Sequence, residues 1–182
     1  MLGYDYLPIP LDNNLLYTWA KESYKEFQQG TASGKISKKR NSKVSFLTPN
    51  EKIRKELFRL ANNANELGGW ELKITNVENL QYTVYEKGDY YNWHTDVGKK
   101  RNPLGIRKLS FTMILNDNYE GGGTHFKDLD KVIKINKGDC LLFCGQRYHG
   151  GSKVLKGIRY VIAGFINYNA CKKIREEIEN DD

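Results

Sequence analysis

Two rhythms of apolar and polar positions divide the chain. In the first part the spacing is helical. Leu15, Leu16, Trp19, Tyr24 and Phe27 follow a start signal at Asp12-Asn13 and predict a helix within residues 11–29. Ile53, Leu57, Leu60, Ala61 and Ala64 mark one face of a second helix. Its start is read at Thr48-Pro49-Asn50-Glu51, with proline in the first turn and a capping box from Thr48 to Glu51. Gly68-Gly69 ends it. The stretch between the helices, residues 30–45 (GTASGKISKKRNSKVS), is rich in Gly, Ser and Lys and reads as a flexible loop. From Trp70 onward short strands are predicted over 70–76, 80–86, 90–96, 107–116, 122–126, 131–135, 140–144 and 158–167. Turn signals separate them, among them Lys87-Gly88-Asp89, Gly121-Gly122-Gly123 and Lys137-Gly138-Asp139. Eight short strands fit a sandwich or double-stranded barrel, with the two helices covering the outer face of one sheet.

Length and composition narrow this further. The 182 residues suit one domain, spanning 1–182. It divides into helices and basic loop at 1–69, a strand-rich core at 70–168 and a charged tail at 169–182, helical or frayed. The net charge of +7 suggests a nucleic-acid binder if it is general. It is local: Lys35 to Arg59 holds nine basic and two acidic residues, and the remainder has 20 of each sign. That patch reads as a basic loop entering a buttressing helix, outside the chemistry. No apolar run approaches the roughly 20 residues of a membrane span. Met1 to Pro10 does not read as a secretory signal. The three cysteines, Cys140, Cys144 and Cys171, are odd in number and form no CxxC, so a reduced, cytoplasmic protein is expected.

The candidate chemistry lies in three histidines, His94, His125 and His149. His94 precedes Asp96 by two residues in Trp93-His94-Thr95-Asp96, and on a strand such positions share a face. An imidazole and a carboxylate side by side need one more ligand from a distant strand to make a two-His, one-carboxylate facial triad. His125 and His149 are the candidates. His149 is preferred because Arg159 follows ten residues later, where a returning strand aims it into the same pocket. A buried arginine calls for an anion, and its fork suits a carboxylate. His125 has no such companion and is ranked as a non-ligand. Zinc is the chemical rival for the same ligands. The arginine favours iron, because it offers a place for the far carboxylate of a bidentate cosubstrate.

Between residues 80 and 168 the chain resembles the 2-oxoglutarate/Fe(II)-dependent dioxygenases of the prolyl 4-hydroxylase-like branch. The resemblance runs through residues 81–96, 107–116 and Tyr119-Glu120-Gly121-Gly122, then Lys137-Gly138-Asp139, His149 and Gly157-Ile158-Arg159. It implies a mostly β fold, a distorted double-stranded β-helix (jelly roll, cupin-like) with N-terminal buttressing helices. It also implies roles. His94, Asp96 and His149 are then the metal ligands, and Arg159, with the Tyr85 hydroxyl, binds the far carboxylate of 2-oxoglutarate. Many relatives carry a second tyrosine at the position of Ile114, so Tyr85 and Arg159 remain as the main polar anchors here. Tyr91, Arg107 and Phe165 correspond to substrate-binding positions. The implied cofactors are Fe(II), 2-oxoglutarate as cosubstrate and O2, with ascorbate as an optional addition.

The activity this implies is hydroxylation of peptidyl proline with release of succinate and CO2. A peptide or protein substrate is expected, and no membrane. The loop Val97 to Ile106 and the stretch Gly30–Ser45 are candidate lids. Their charge favours an acidic or electronegative partner. Hydroxylation of another residue or a small molecule is the alternative, as is oxidative demethylation of nucleic acid. The demethylating branch usually carries a second arginine six residues after the first; Phe165 stands there, so nucleic acid is disfavoured. A non-enzymatic metal-binding jelly roll would be supported by a missing triad member, and none is missing.

Overall fold

Side-chain alternation on the strands decides the architecture. The computed structural model describes residues 6–10, 13–31, 38–97 and 106–169. Its elements run β1 (Tyr6–Pro10), α1 (Asn13–Ser23), β2 (Gln28–Gln29), β3 (Arg40–Asn41), β4 (Lys43–Leu47), α2 (Glu51–Gly68), β5 (Lys73–Val77), β6 (Leu80–Tyr85) and β7 (Tyr90–His94). They continue with β8 (Ile106–Ile114), β9 (Tyr119–Gly121), β10 (Thr124–Phe126), β11 (Lys131–Ile133), β12 (Asp139–Cys144), β13 (His149–Gly151), β14 (Val154–Gly157) and β15 (Arg159–Asn169).

The major sheet has the order β1-β12-β8-β15-β6-β4-β2, with β5 also on β15, and the minor sheet β11-β10-β13-β7-β3. Strands β14 and β9 pair separately. This is the mostly β, double-stranded β-helix architecture expected, with helices on one face of the major sheet. On the major sheet Leu80, Tyr82, Leu109, Phe111, Met113, Leu142, Ile162 and Ile166 join Leu16, Trp19, Leu57 and Leu60 of the helices in one core. The alternate positions, Gln81, Tyr85, Ser110, Thr112, Ala163 and Phe165, line a cavity on the opposite face. One face of each strand thus anchors the helices and the other builds the site. No helix is long and apolar enough to cross a membrane among the described residues.

Helix α2 buries the predicted face: Ile53, Leu57, Leu60, Ala61 and Ala64 are all at or below 1% exposure. Each fully buried leucine contributes about 1.5–3 kcal/mol of transfer free energy. Its cap is not the predicted one. Asn50, in extended conformation, accepts the Ile53 N–H at 2.9 Å, and the helix starts at Glu51. Pro49 therefore precedes the cap, and Thr48, next to the proline ring, is biased out of the helical region. The C-terminus is as predicted, with Gly69 at φ 59° closing the last turn onto Asn65 and Glu66.

Elsewhere the structure departs from the sequence reading. Helix α1 stops at Ser23 rather than continuing to 29, because Gln28–Gln29 pair with Val44 and Lys43. Phe27 then packs on Tyr82 from outside a helix, with ring centroids 5.2 Å apart. The presumed loop 30–45 contains β3 and starts β4, which pairs with β6 and buries Val44 and Leu47. The lysine- and serine-rich composition hides those apolar positions. Strand β1 escapes prediction because it contains Pro8 and Pro10, tolerable since it forms the sheet edge. Strands β9, β13 and β14 are three or four residues long and fall in stretches that read as turns. The tail 170–182 with Cys171, loop residues 98–105 and segment 32–37 lie outside the described residues. Cys140 and Cys144 are free thiols.

Candidate metal centre

The metal-ligand candidates meet where β7 and β13 pair. His94 and His149 are directly opposed in the ladder, which sets their rings 4.4 Å apart. Asp96 lies past the end of β7, not on it, so the shared-face argument for a continuous strand does not hold. Its backbone N–H instead donates to the Gly145 carbonyl at 2.9 Å, which fixes the turn carrying the carboxylate. Asp96 Oδ1 stands 3.4 Å from His94 Nε2 and Oδ2 stands 3.4 Å from His149 Nε2. One ligand atom from each residue lies within 4.8 Å of the others, so the three can hold a metal ion.

Hydrogen bonds select the form in which these groups bind metal. Each histidine directs Nδ1 at a backbone carbonyl 2.8 Å away, Asn92 for His94 and Arg147 for His149. A carbonyl only accepts, so Nδ1 carries the proton and Nε2 offers its lone pair. Burial pushes His149 below the usual imidazole range, against the opposing pull of Asp96, and keeps it neutral. Burial alone raises the Asp96 carboxyl. Before a metal binds, the imidazoles of His94 and His149, when protonated, and the Ser110 hydroxyl outweigh it and hold the group below its ordinary value, so the carboxylate is ionised when a metal displaces the Nε2 protons. Neutral imidazoles around a carboxylate are the donor set that a divalent ion requires.

A bulge shapes the wall beside the triad. His149 pairs with His94 and Gly151 with Tyr91, so three steps on β7 face two on β13. The extra residue brings Tyr91 and His94, which plain alternation sends to opposite faces, onto one face. Their rings stack at 3.7 Å and 18°. Gly150 makes this possible: a Cβ there would stand 2.8 Å from the Tyr91 carbonyl oxygen. His125 pairs with Gly150 instead, points to the other face, and packs on Trp93 at 4.6 Å. It is absent from the ligand cluster.

Arg159 is 4% exposed and lines the same cavity. It opposes Tyr85 across the β15–β6 ladder, with its guanidinium 5.5 Å from the Tyr85 ring centre. Its Nε has no hydrogen-bond partner, and no acidic side chain pairs with it among the described residues. A buried cation without a counter-ion is costly, so the position fits an incoming anion. Ile114 is buried against Tyr85, Val154 and Val161, and adds no polar group to that corner. Tyr91 and Phe165 also line the cavity. The Arg107 side chain lies outside the described ones.

Several cavity residues escaped the sequence reading. Ser110 donates to Asp96, Gln81 lines the cavity from β6, and Thr83 accepts from Arg40 behind it. Arg40 is the largest omission and a correction. It belongs to the basic segment read as lying outside the chemistry, yet it is 6% exposed and lines the cavity. The only local signal is its two-residue spacing from Ser42, which the surrounding lysines obscure.

A double-stranded β-helix with a two-His, one-carboxylate cluster and a buried arginine beside it defines the class of non-haem metal oxygenases. Residues 80–167 match the family model of the 2OG-Fe(II) oxygenase superfamily. A PKHD-type hydroxylase of Synechococcus sp. (strain CC9605) is 34% identical over 98 residues, 51% of this chain and 43% of the relative. A putative prolyl 4-hydroxylase of Acanthamoeba polyphaga mimivirus is 28% identical over 127 residues, 65% of this chain and 50% of the relative. The matches thus span about half the length of these curated relatives or less. The fold matches a viral collagen prolyl hydroxylase from Paramecium Bursaria Chlorella virus-1, solved with 2OG, at a TM-score of 0.68 and 20% identity. That match covers 90% of this chain and 96% of the other. A Pseudomonas putida prolyl-4-hydroxylase gives 0.68 at 14% identity, covering 92% and 95%. The family's metal and cosubstrate are Fe(II) and 2-oxoglutarate, with O2, and the donor set described above fits the metal.

Proposed function

We propose that the protein is a 2-oxoglutarate- and Fe(II)-dependent dioxygenase that hydroxylates proline in a peptide or protein. The observation that carries this is the unpaired, buried Arg159 facing the cavity of the His94–Asp96–His149 cluster. A structural metal site needs no such cation, whereas a dicarboxylate cosubstrate does.

Each residue then has a defined task. His94, Asp96 and His149 hold Fe(II) and leave part of its coordination sphere open. Arg159 pairs with the far carboxylate of 2-oxoglutarate, and the Tyr85 hydroxyl supports it. When bound, iron and cosubstrate would use O2 as the oxidant: one oxygen atom would enter a substrate C–H and the other the succinate formed, with CO2 released. Tyr91, Phe165 and Arg107 contact the substrate and hold its reacting carbon at the metal. The prolyl-hydroxylase relatives favour proline as the residue modified. Residues 1–182 act as one catalytic domain in this reading.

The test is succinate formation dependent on both Fe(II) and 2-oxoglutarate, followed by mass spectrometry of a proline-rich peptide pool. A gain of one oxygen on proline is the expected result. Oxidation of methylated DNA with peptides untouched would reverse the substrate assignment.

A further inference from the structure

Two buried arginines line the cavity, and the proposed cosubstrate accounts for one. Arg40 is contributed by β3, opposite Tyr91 in the ladder with β7. Its hydrogen-bond partners are all neutral. Nε donates to Ser42 Oγ at 2.8 Å, one terminal nitrogen to Gln81 Oε1 at 3.0 Å and the other to Thr83 Oγ1 at 3.3 Å. The guanidinium stands 4.7 Å from the Tyr91 ring centre. His94 already covers one face of that ring, so Arg40 takes the other. No acidic side chain pairs with Arg40 among the described residues. These three acceptors engage three of its five N–H groups and the Tyr91 hydroxyl is a further partner, which leaves one N–H for an incoming acceptor.

Position separates the tasks of the two cations. Gln81, Thr83 and Tyr85 form one row on the same face of β6. Arg159 opposes Tyr85 at one end, and Arg40 is held by Gln81 and Thr83 at the other. Thr83 and Gln81 lie two and four residues from Tyr85, about 7 and 13 Å along extended chain. One dicarboxylate anchored at Arg159 and at the triad therefore leaves the Arg40 end to the second substrate.

Charge leads to the same assignment. The charged groups lining the cavity are Asp96, Arg159 and Arg40, with the histidines neutral as metal ligands. A divalent metal and the dianion 2-oxoglutarate cancel, and so do Asp96 and Arg159. The charge of Arg40 is what remains. Burying that charge is costly unless an anion arrives, and a planar fork held by side-chain oxygens suits a carboxylate.

We infer that Arg40 is a specificity residue that pairs with a carboxylate on the primary substrate, beside the residue to be hydroxylated. This rests on the oxygenase reading above. The carboxylate is either an acidic side chain next to the target or a free chain terminus, and the two sources are separable. The exposed Lys38 and Lys39 on the same segment favour approach of such an acidic substrate.

The experiment is calorimetric titration of wild-type protein loaded with Zn(II) and 2-oxoglutarate, using blocked pentapeptides centred on proline. One peptide carries Glu beside the proline and one carries Gln. A third, blocked only at its N-terminus, has Gln before the proline and ends at the proline in a free carboxylate. The expected result is binding of a carboxylate peptide on the order of tenfold tighter than the fully blocked Gln peptide, the size of one charge-assisted hydrogen bond. Which of the two carboxylate peptides gains identifies the source. In Arg40→Gln the preference falls to about unity, and Arg40→Lys retains part of it. Equal affinity for all three peptides, absence of binding, or a preference surviving in Arg40→Gln overturns the inference. The wild-type peptide comparison decides the matter even where a variant does not fold. Failure of the oxygenase reading shows separately, as absence of 2-oxoglutarate binding to the metal-loaded wild type before any peptide is added.

Discussion

Ser110 Oγ donates a 2.6 Å hydrogen bond to Asp96 Oδ2, tying the carboxylate at the end of β7 to the middle of β8 in the major sheet. The two sheets are thus joined at the metal cluster itself. Residues that orient metal ligands typically change affinity 10–100-fold when removed. Ser110→Ala is expected to weaken Co(II) or Fe(II) binding by about tenfold, with the melting temperature little changed. Ser110→Thr keeps a hydroxyl and should recover part of the loss. A titration followed by Co(II) absorption measures both.

Replacing His94, Asp96 or His149 by Ala removes a ligand outright. Each variant is expected to lose metal-dependent succinate formation and the Co(II) spectrum together. Unchanged iron-dependent succinate production in all three would sink the metal assignment.

Arg159 has no acidic partner among the described residues, so its replacement strands no acidic group there. Arg159→Gln should raise the KM for 2-oxoglutarate by about 10–100-fold, the loss of a charged, two-point hydrogen bond. Arg159→Lys should lie between, since lysine supplies the charge without the fork. Steady-state rates across 2-oxoglutarate concentrations give the comparison. A KM unchanged in Arg159→Gln removes the cosubstrate from this corner.

The bulge at Gly150 predicts a coupled defect. Any side chain there meets the Tyr91 carbonyl, so Gly150→Ala must move β7. A loss of about 1–3 kcal/mol in unfolding free energy is expected, the range for overpacking. Metal affinity should fall with it, because His94 lies on the displaced segment. Urea melts and Co(II) titration of one preparation test the linkage. A stability loss with metal affinity intact would show that the bulge does not position His94.

The two candidate caps of α2 make opposite predictions. Asn50→Ala should cost about 1 kcal/mol, because it orphans the Ile53 N–H. Thr48→Ala should cost little, since Thr48 is exposed and does not cap the helix. Chemical denaturation of both variants resolves the difference.

What the sequence determined by itself was whatever one segment carries alone. The α2 face from Ile53 to Ala64, its glycine stop and most strands from β6 to β15 repeat with the period of their own backbone. The His94/Asp96 pair stands out because its two members are close in the chain, and the ordered succession to His149 and Arg159 carries the family resemblance. The tertiary structure decided what depends on pairing. A bulge of one residue on β7 brings Tyr91 onto His94, and period-two reasoning has no term for it. Ser110 reaches Asp96 only because β8 faces β7 across the cavity. Arg40 looks like one more solvated charge among lysines until β3 pairs with β7 and places its guanidinium beside Gln81 and Thr83. The physical reason is common to all three. Local spacing fixes which way a side chain points relative to its own strand, while burial and charge pairing depend on which distant strand lies next to it.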